Sequence, residues 1–150
     1  MKLQNLLNRK GFVTIKLKKI NTNHFIFKAK LNGVNGVFIL DTGASNSCLD
    51  IGLADDYKLQ VEDSKTKAAG AGASGMDTKI ANNNTLQIGK WLFKNFTLVL
   101  IDLNHVNTAL TEHNAESVHG IIGADILEKG HAIIDYKKRR LYLKKLVYKF

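Results

Sequence analysis

Apolar and polar residues alternate from Phe12 to Ile20, with Val13, Ile15 and Leu17 set against Thr14, Lys16 and Lys18. That two-residue period is the mark of a strand with one buried face. His24 to Leu31 and Val34 to Leu40 predict two further strands, joined by Asn32-Gly33, a pair suited to a two-residue hairpin turn. Thr85 to Ile88 and Trp91 to Ile101 predict two more, meeting near Gly89-Lys90, and Ala132 to Tyr136 with Leu141 to Val147 predict a closing hairpin across Lys137-Lys138-Arg139-Arg140. Helical spacing is scarce. It is confined to one turn over Ile126 to Lys129, a short helix or turn over Leu53 to Leu59, and an amphipathic helix or terminal arm over Met1 to Lys10. Asn104 to Ser117 reads as a long polar loop, and Ala68 to Gly75 as a run of glycine and small residues within a polar stretch. Short strands punctuated by glycine, with no repeat and no linker, predict a closed barrel or a sandwich.

Composition narrows the setting. A chain of 150 residues is one domain of ordinary size, able to bury a core without disulfides. Its one cysteine, Cys48, has no internal partner, which points to a reducing compartment. No apolar stretch approaches the ~20 residues that span a bilayer, and Met1 to Lys10 is too polar for a signal-peptide core. A soluble, cytoplasmic protein is therefore expected. The net charge of +9 gathers in Arg9 to Lys30 and Lys137 to Lys149, interleaved with apolar residues at strand spacing. This is the pattern of a solvated sheet face, so no nucleic-acid partner is expected and a basic RNA-binding barrel is a distant third reading.

The most informative segment is Phe38-Ile39-Leu40-Asp41-Thr42-Gly43-Ala44-Ser45, where an apolar run delivers a carboxylate to a tight turn. Burying such a group is costly unless something hydrogen-bonds it. A second apolar run, Gly120-Ile121-Ile122-Gly123-Ala124-Asp125-Ile126-Leu127, follows about eighty residues on. Together with the Asn32-Gly33 hairpin, the Leu86-Gln87-Ile88-Gly89 step and the closing Ile134-Asp135-Tyr136 hairpin, these resemble, in order, the retropepsin-like aspartic proteases. These are the single-lobe relatives of pepsin, here of bacterial type, and the likeness runs from about Lys18 to Lys145.

The resemblance implies an all-β acid-protease closed barrel over residues 18–150, with one short helix after the Ile-Ile-Gly segment. Residues 1–17 would be an N-terminal arm or extra strand available to a dimer interface. It makes Asp41 the catalytic residue, supported by Thr42, Gly43, Ala44 and Ser45. Thr42 would brace the partner's loop, Gly43 would offer its N–H to the carboxylate, and Ser45 is a candidate hydrogen-bond partner. It further implies a flap over substrate from Gly70, Gly72, Ala73, Ser74 and Gly75. Ile121, Ile122 and Gly123 would pack behind the site, with Asp125 structural rather than catalytic. The flap lacks the aromatic residue carried by two-lobed relatives. Because the chain holds one Asp-Thr-Gly, the second carboxylate must come from another copy. The expectation is a homodimeric aspartic endopeptidase acting on peptide or protein substrates, with water as the nucleophile and no cofactor or metal. The alternative is a silent retropepsin-like domain used for peptide binding or assembly.

Other motifs in the chain lack the context their chemistry needs. Gly70 to Gly75 matches Gly-x-Gly-x-x-Gly, but a polar segment precedes it and Asn82-Asn83-Asn84 follows where a dinucleotide fold needs a helix. His105, His113 and His119 with Glu112 and Glu116 match no tight ligand spacing. Cys48 has no visible catalytic partner and reads as a buried thiol.

Overall fold

The computed structural model describes residues 1–68 and 76–147. In chain order the elements are α1 (Leu3–Arg9), β1 (Phe12–Lys16), β2 (Lys18–Lys19), β3 (Phe25–Leu31), β4 (Val34–Leu40) and β5 (Cys48–Asp50). A single 3-10 turn, Ile51–Leu53, leads to β6 (Val61–Ala68), β7 (Met76–Ile88) and β8 (Trp91–Ile101). Then come α2 (Asn104–Glu112), β9 (Gly120–Ile122), α3 (Ala124–Lys129), β10 (Ile133–Asp135) and β11 (Arg140–Lys144).

One eight-stranded sheet runs β2-β3-β4-β9-β5-β8-β7-β6, and an added pairing of β3 with β7 at Lys30↔Gln87 and Leu31↔Leu86 closes it into a six-strand barrel. The expected all-β barrel is present, with α3 as the short helix after Ile121-Ile122-Gly123. Asn32 and Gly33 both take positive φ, 52° and 82°, the backbone that a tight hairpin between β3 and β4 demands. At the centre lies β9. It pairs in parallel with β4 (Phe38↔Gly120 to Leu40↔Ile122) and antiparallel with β5, so Ile121 and Ile122 are both buried although they point to opposite faces. Burial of each contributes about 1.5–3 kcal/mol.

Three expectations need correction. The alternation over Phe12 to Ile20 is two strands: β1 joins β11 and β10 in a separate three-stranded sheet, while β2 joins the barrel through β3. The chain changes partner at Leu17, whose N–H is taken by the Arg139 carbonyl at 2.9 Å. Asn104 to Ser117 is not all loop, because α2 occupies its first nine residues. Leu110 is buried beneath that helix, and the Asn107 side chain clamps Val118 in both directions (Nδ2 to O, 3.0 Å; Val118 N to Oδ1, 2.7 Å). The third concerns β5 and β6, which polar or short segments gave no reason to expect.

The core has two parts. The larger fills the barrel and extends through Val13, Ile15, Leu141 and Leu143 under the smaller sheet, which Trp91 pins by donating Nε1–H to the Lys144 carbonyl at 2.9 Å. The second, formed by Ile26, Ile39, Ile101, Leu103, Leu110, Val118 and Ile121 among others, lies between the outer face of β4–β9 and α2.

Candidate active site

Asp41 is the first residue beyond β4. Its N–H continues the ladder to β9 by donating to the Ile122 carbonyl at 3.0 Å. The chain then turns sharply. Gly43 N–H donates to Asp41 Oδ1 at 2.9 Å, and Ala44 N–H donates to the Asp41 carbonyl at 3.2 Å. The carboxylate is half-buried, while Thr42, Gly43 and Ser45 are exposed on the rim of the turn. An Asp followed two residues later by Gly builds this geometry locally, since the carboxylate caps the turn that the backbone makes.

The back of the loop is closed by the segment after β9. Ala44 is buried and its carbonyl accepts the Ala124 N–H at 2.7 Å. A Cβ on Gly123 would lie 2.4 Å from that same carbonyl oxygen, so only glycine allows the two segments to meet this closely. Gly120 is under the same restriction, with the Cys48 carbonyl 2.4 Å from where its Cβ would stand.

Asp125, at the start of α3, turns both oxygens toward Ser47. It accepts the Ser47 N–H on Oδ1 and Oδ2 at 2.9 and 3.0 Å and the Ser47 hydroxyl at 2.7 Å. Ser47 Oγ in turn accepts the Gly123 N–H at 2.9 Å. Asp125 is thereby bound into the support of the Asp41 loop. Sequence reasoning singled out Ser45, but the serine that ties this loop to its backing is Ser47, fully buried.

Three further carboxylates are engaged elsewhere. Asp50 Oδ1 accepts the Leu103 N–H at 3.4 Å, Asp102 caps the Asn104 N–H at 2.8 Å, and Asp135 accepts the Lys138 N–H at 3.0 Å. His119 stands in for a strand residue. Its Nδ1 accepts the Val37 N–H and its own N–H donates to the Val37 carbonyl, both at 2.9 Å, while its ring meets Tyr57 edge-on. Among the described residues no three His, Cys, Asp or Glu side chains group to hold a metal ion, and no helix is long and apolar enough to cross a membrane. The Cys48 thiol is pushed up to about 12, first by burial and then by the nearby carboxylates of Asp125, Asp41 and Asp50, against a lowering contact with the Ile121 backbone. It is no nucleophile.

Asp41 opens onto a cavity of about 560 Å³ floored by Ile39 and Ile121 and walled by Asn21–His24 and α2. A larger hollow, about 730 Å³, lies among Thr14, Lys16, Phe27 and Lys28 and includes none of the Asp41-loop residues. Toward the expected flap, β6 and β7 run antiparallel as far as Ala68↔Met76. Gly70, Gly72, Ala73, Ser74 and Gly75 lie outside the described residues.

This loop, with a β9 backing set between β4 and β5, can be compared with known proteins. Residues 27–126 match the model of the family described as Aspartyl protease. The chain belongs to that family. Solved structures share its fold: a retropepsin-like aspartic protease from Rickettsia conorii superposes with a TM-score of 0.61 at 23% identity, over 90% of this chain and 91% of that one. The EIAV protease in complex with the inhibitor HBY-793 gives 0.53 at 19% identity, over 82% and 91%. A retroviral protease-like domain of Ddi1 from Leishmania major gives 0.51 at 17%, over 90% and 96%. No curated protein sequence matches the chain. In this aspartyl protease the match spans both halves of the site, from the Asp41 loop to the Gly123–Asp125 backing.

Proposed function

We propose that this aspartyl protease is a homodimeric endopeptidase in which the Asp41 carboxylates of two copies face each other across a two-fold axis. The observation that carries the reading is the single Asp-Thr-Gly loop: Asp41 is half-buried, buttressed and open to a cavity, while Asp50, Asp102, Asp125 and Asp135 are held in other hydrogen bonds. One protomer therefore offers half of a dyad. Thr42, exposed beside Asp41, is available to reach the partner's loop.

Two carboxylates this close share one proton. A water between them gives a proton to the ionised carboxylate as its oxygen attacks the peptide carbonyl. The protonated carboxylic acid donates to the carbonyl oxygen and stabilises the charge that develops there. The resulting tetrahedral intermediate collapses when the C–N bond breaks: the amine takes the proton held by one carboxylic acid, the other carboxylate takes a proton from a hydroxyl of the intermediate, and one carboxylic acid, one amine and a singly protonated dyad remain. Gly43 N–H keeps one oxygen of each Asp41 oriented throughout.

Sedimentation at micromolar concentration, beside cleavage of a peptide library between pH 4 and 7, tests this. The expected result is a dimer whose specific activity falls on dilution. A cleaving monomer would overturn the shared dyad, and a strict monomer without cleavage would favour a domain that binds peptides and does not cut them.

A further inference from the structure

The cavity in front of Asp41 has an unusual lining for a site that holds peptide side chains. Its floor, Ile39 and Ile121, comes from the two strands that flank the reacting carboxylate, so whatever fills it sits beside the scissile bond. One wall is α2, which presents Val106, Ala109, Leu110 and His113 at the 0, 3, 4, 7 spacing of a single helix face, with His105 alongside. The other wall is the Asn21–His24 turn, held by Ile20 N–H to the His24 carbonyl (3.0 Å) and Asn23 N–H to the Ile20 carbonyl (2.9 Å). Asn21 joins the walls: its Nδ2 donates to the carbonyls of His113 and Asn114, each at 3.3 Å. The pocket is thus fixed at both sides and closed at one end.

Three imidazoles line it against one carboxylate, Asp41 itself. His113 Nδ1 donates to the Ala109 carbonyl at 2.9 Å, which leaves Nε2 as the nitrogen with which that ring can meet a ligand. His24 Nδ1 is likewise taken up by Thr22 Oγ1 at 2.7 Å. Other charged groups on these elements are engaged or outward: Asp102 caps Asn104, Glu116 pairs with Lys18 at 3.3 Å, and Glu112 is exposed.

We propose that this cavity is a specificity pocket for an acidic side chain next to the scissile bond, selected by His24, His105 and His113. The proposal rests on the peptidase reading above. The apolar floor suits the methylene stem of glutamate, and the imidazoles meet its carboxylate. A peptide glutamate is ionised from about pH 4.3 upward, so it presents a carboxylate that imidazole N–H groups can donate to. The dimer axis would set one such pocket on each side of the bond to be cut.

The test uses three matched peptides that carry Glu, Gln or Leu beside the scissile bond. In the wild type, kcat/KM for the Glu peptide should exceed that for its isostere Gln by about tenfold at pH 5.5. In a His105→Gln/His113→Gln double variant, substituted at exposed positions and checked for folding by circular dichroism, the ratio should be near one. A merely structural role for these residues would lower all three rates together and leave the ratio alone. A wild-type ratio of one, or a ratio kept in the double variant and in His24→Gln, overturns the proposal and leaves the peptidase standing. Affinities of the same peptides for Asp41→Asn, read by fluorescence anisotropy, separate the two ideas. Histidine-dependent preference for Glu without wild-type cleavage would sink the peptidase and keep the pocket, and equal affinities would sink the pocket.

Discussion

Ser47 and Asp125, 78 positions apart in the chain, are joined by three hydrogen bonds, two from the Ser47 N–H and one from its hydroxyl. This pair holds the segment after the Asp41 turn to the start of α3, and through Ser47 Oγ it also holds Gly123. Asp125→Ala leaves the buried Ser47 donors without their acceptor. Bonds to a charged partner contribute more than neutral ones, so the loss should be about 2–3 kcal/mol, read as a lower midpoint in urea at unchanged slope. Asp125→Asn keeps an acceptor oxygen and should recover part of it.

Asp41→Asn should separate chemistry from folding. An asparagine Oδ1 can still accept the Gly43 N–H, so the melting temperature should stay within a few degrees. Peptide turnover should fall by about 10²–10⁴-fold or more, because the variant can neither take nor give the proton. Turnover retained within tenfold would show that another group activates the water.

Gly123→Ala places a methyl 2.4 Å from the Ala44 carbonyl oxygen, so the Asp41 loop must move. The strain should cost about 1–3 kcal/mol, and activity should fall further than the loss of folded protein explains. Gly52→Ala is the matched control: nothing lies within 4 Å of its new methyl, and both stability and activity should hold.

Cys48 supplies a pH dependence of known sign. Its folded-state pKa, about 12, lies above the 9.0 of a free thiol, so the folded form holds the proton more tightly. The associated stability is fully present below pH 9 and is lost as pH climbs from 9 toward 12, with a slope of up to about 1.4 kcal/mol per pH unit. Cys48→Ala should flatten the alkaline limb of a plot of unfolding free energy against pH. In the wild type, iodoacetamide at pH 8 should label Cys48 only once denaturant is added.

The strand that carries Asp41 and the hairpin that starts it were legible because the information is local: apolar residues lead to Asp41, and Asn32-Gly33 supplies the turn. What Asn32 does beyond that turn was not. Its side chain bonds Tyr57, Asn84 and Thr85, all more than twenty residues away. Nor does alternation show a change of partner, since Val13, Ile15 and Leu17 keep one period across the break between two sheets. The α2 segment carries Asn and Thr, which favour helices weakly, and it is helical because Leu103 and Leu110 are buried and Asn107 is clamped. Ser47 escaped notice for the same reason as α2, its partner being remote in the chain.

That remoteness bears on how the protein comes into being. The Asp41 turn leans on Ile122, Gly123 and Ala124, and β9 must slot between β4 and β5 before any of those bonds exist. A nascent chain that has released only its first hundred or so residues from the ribosome holds the acid but nothing behind it. The Asp41 turn is therefore one of the last parts to take shape, and a polypeptide halted before α3 would carry an Asp-Thr-Gly without its backing.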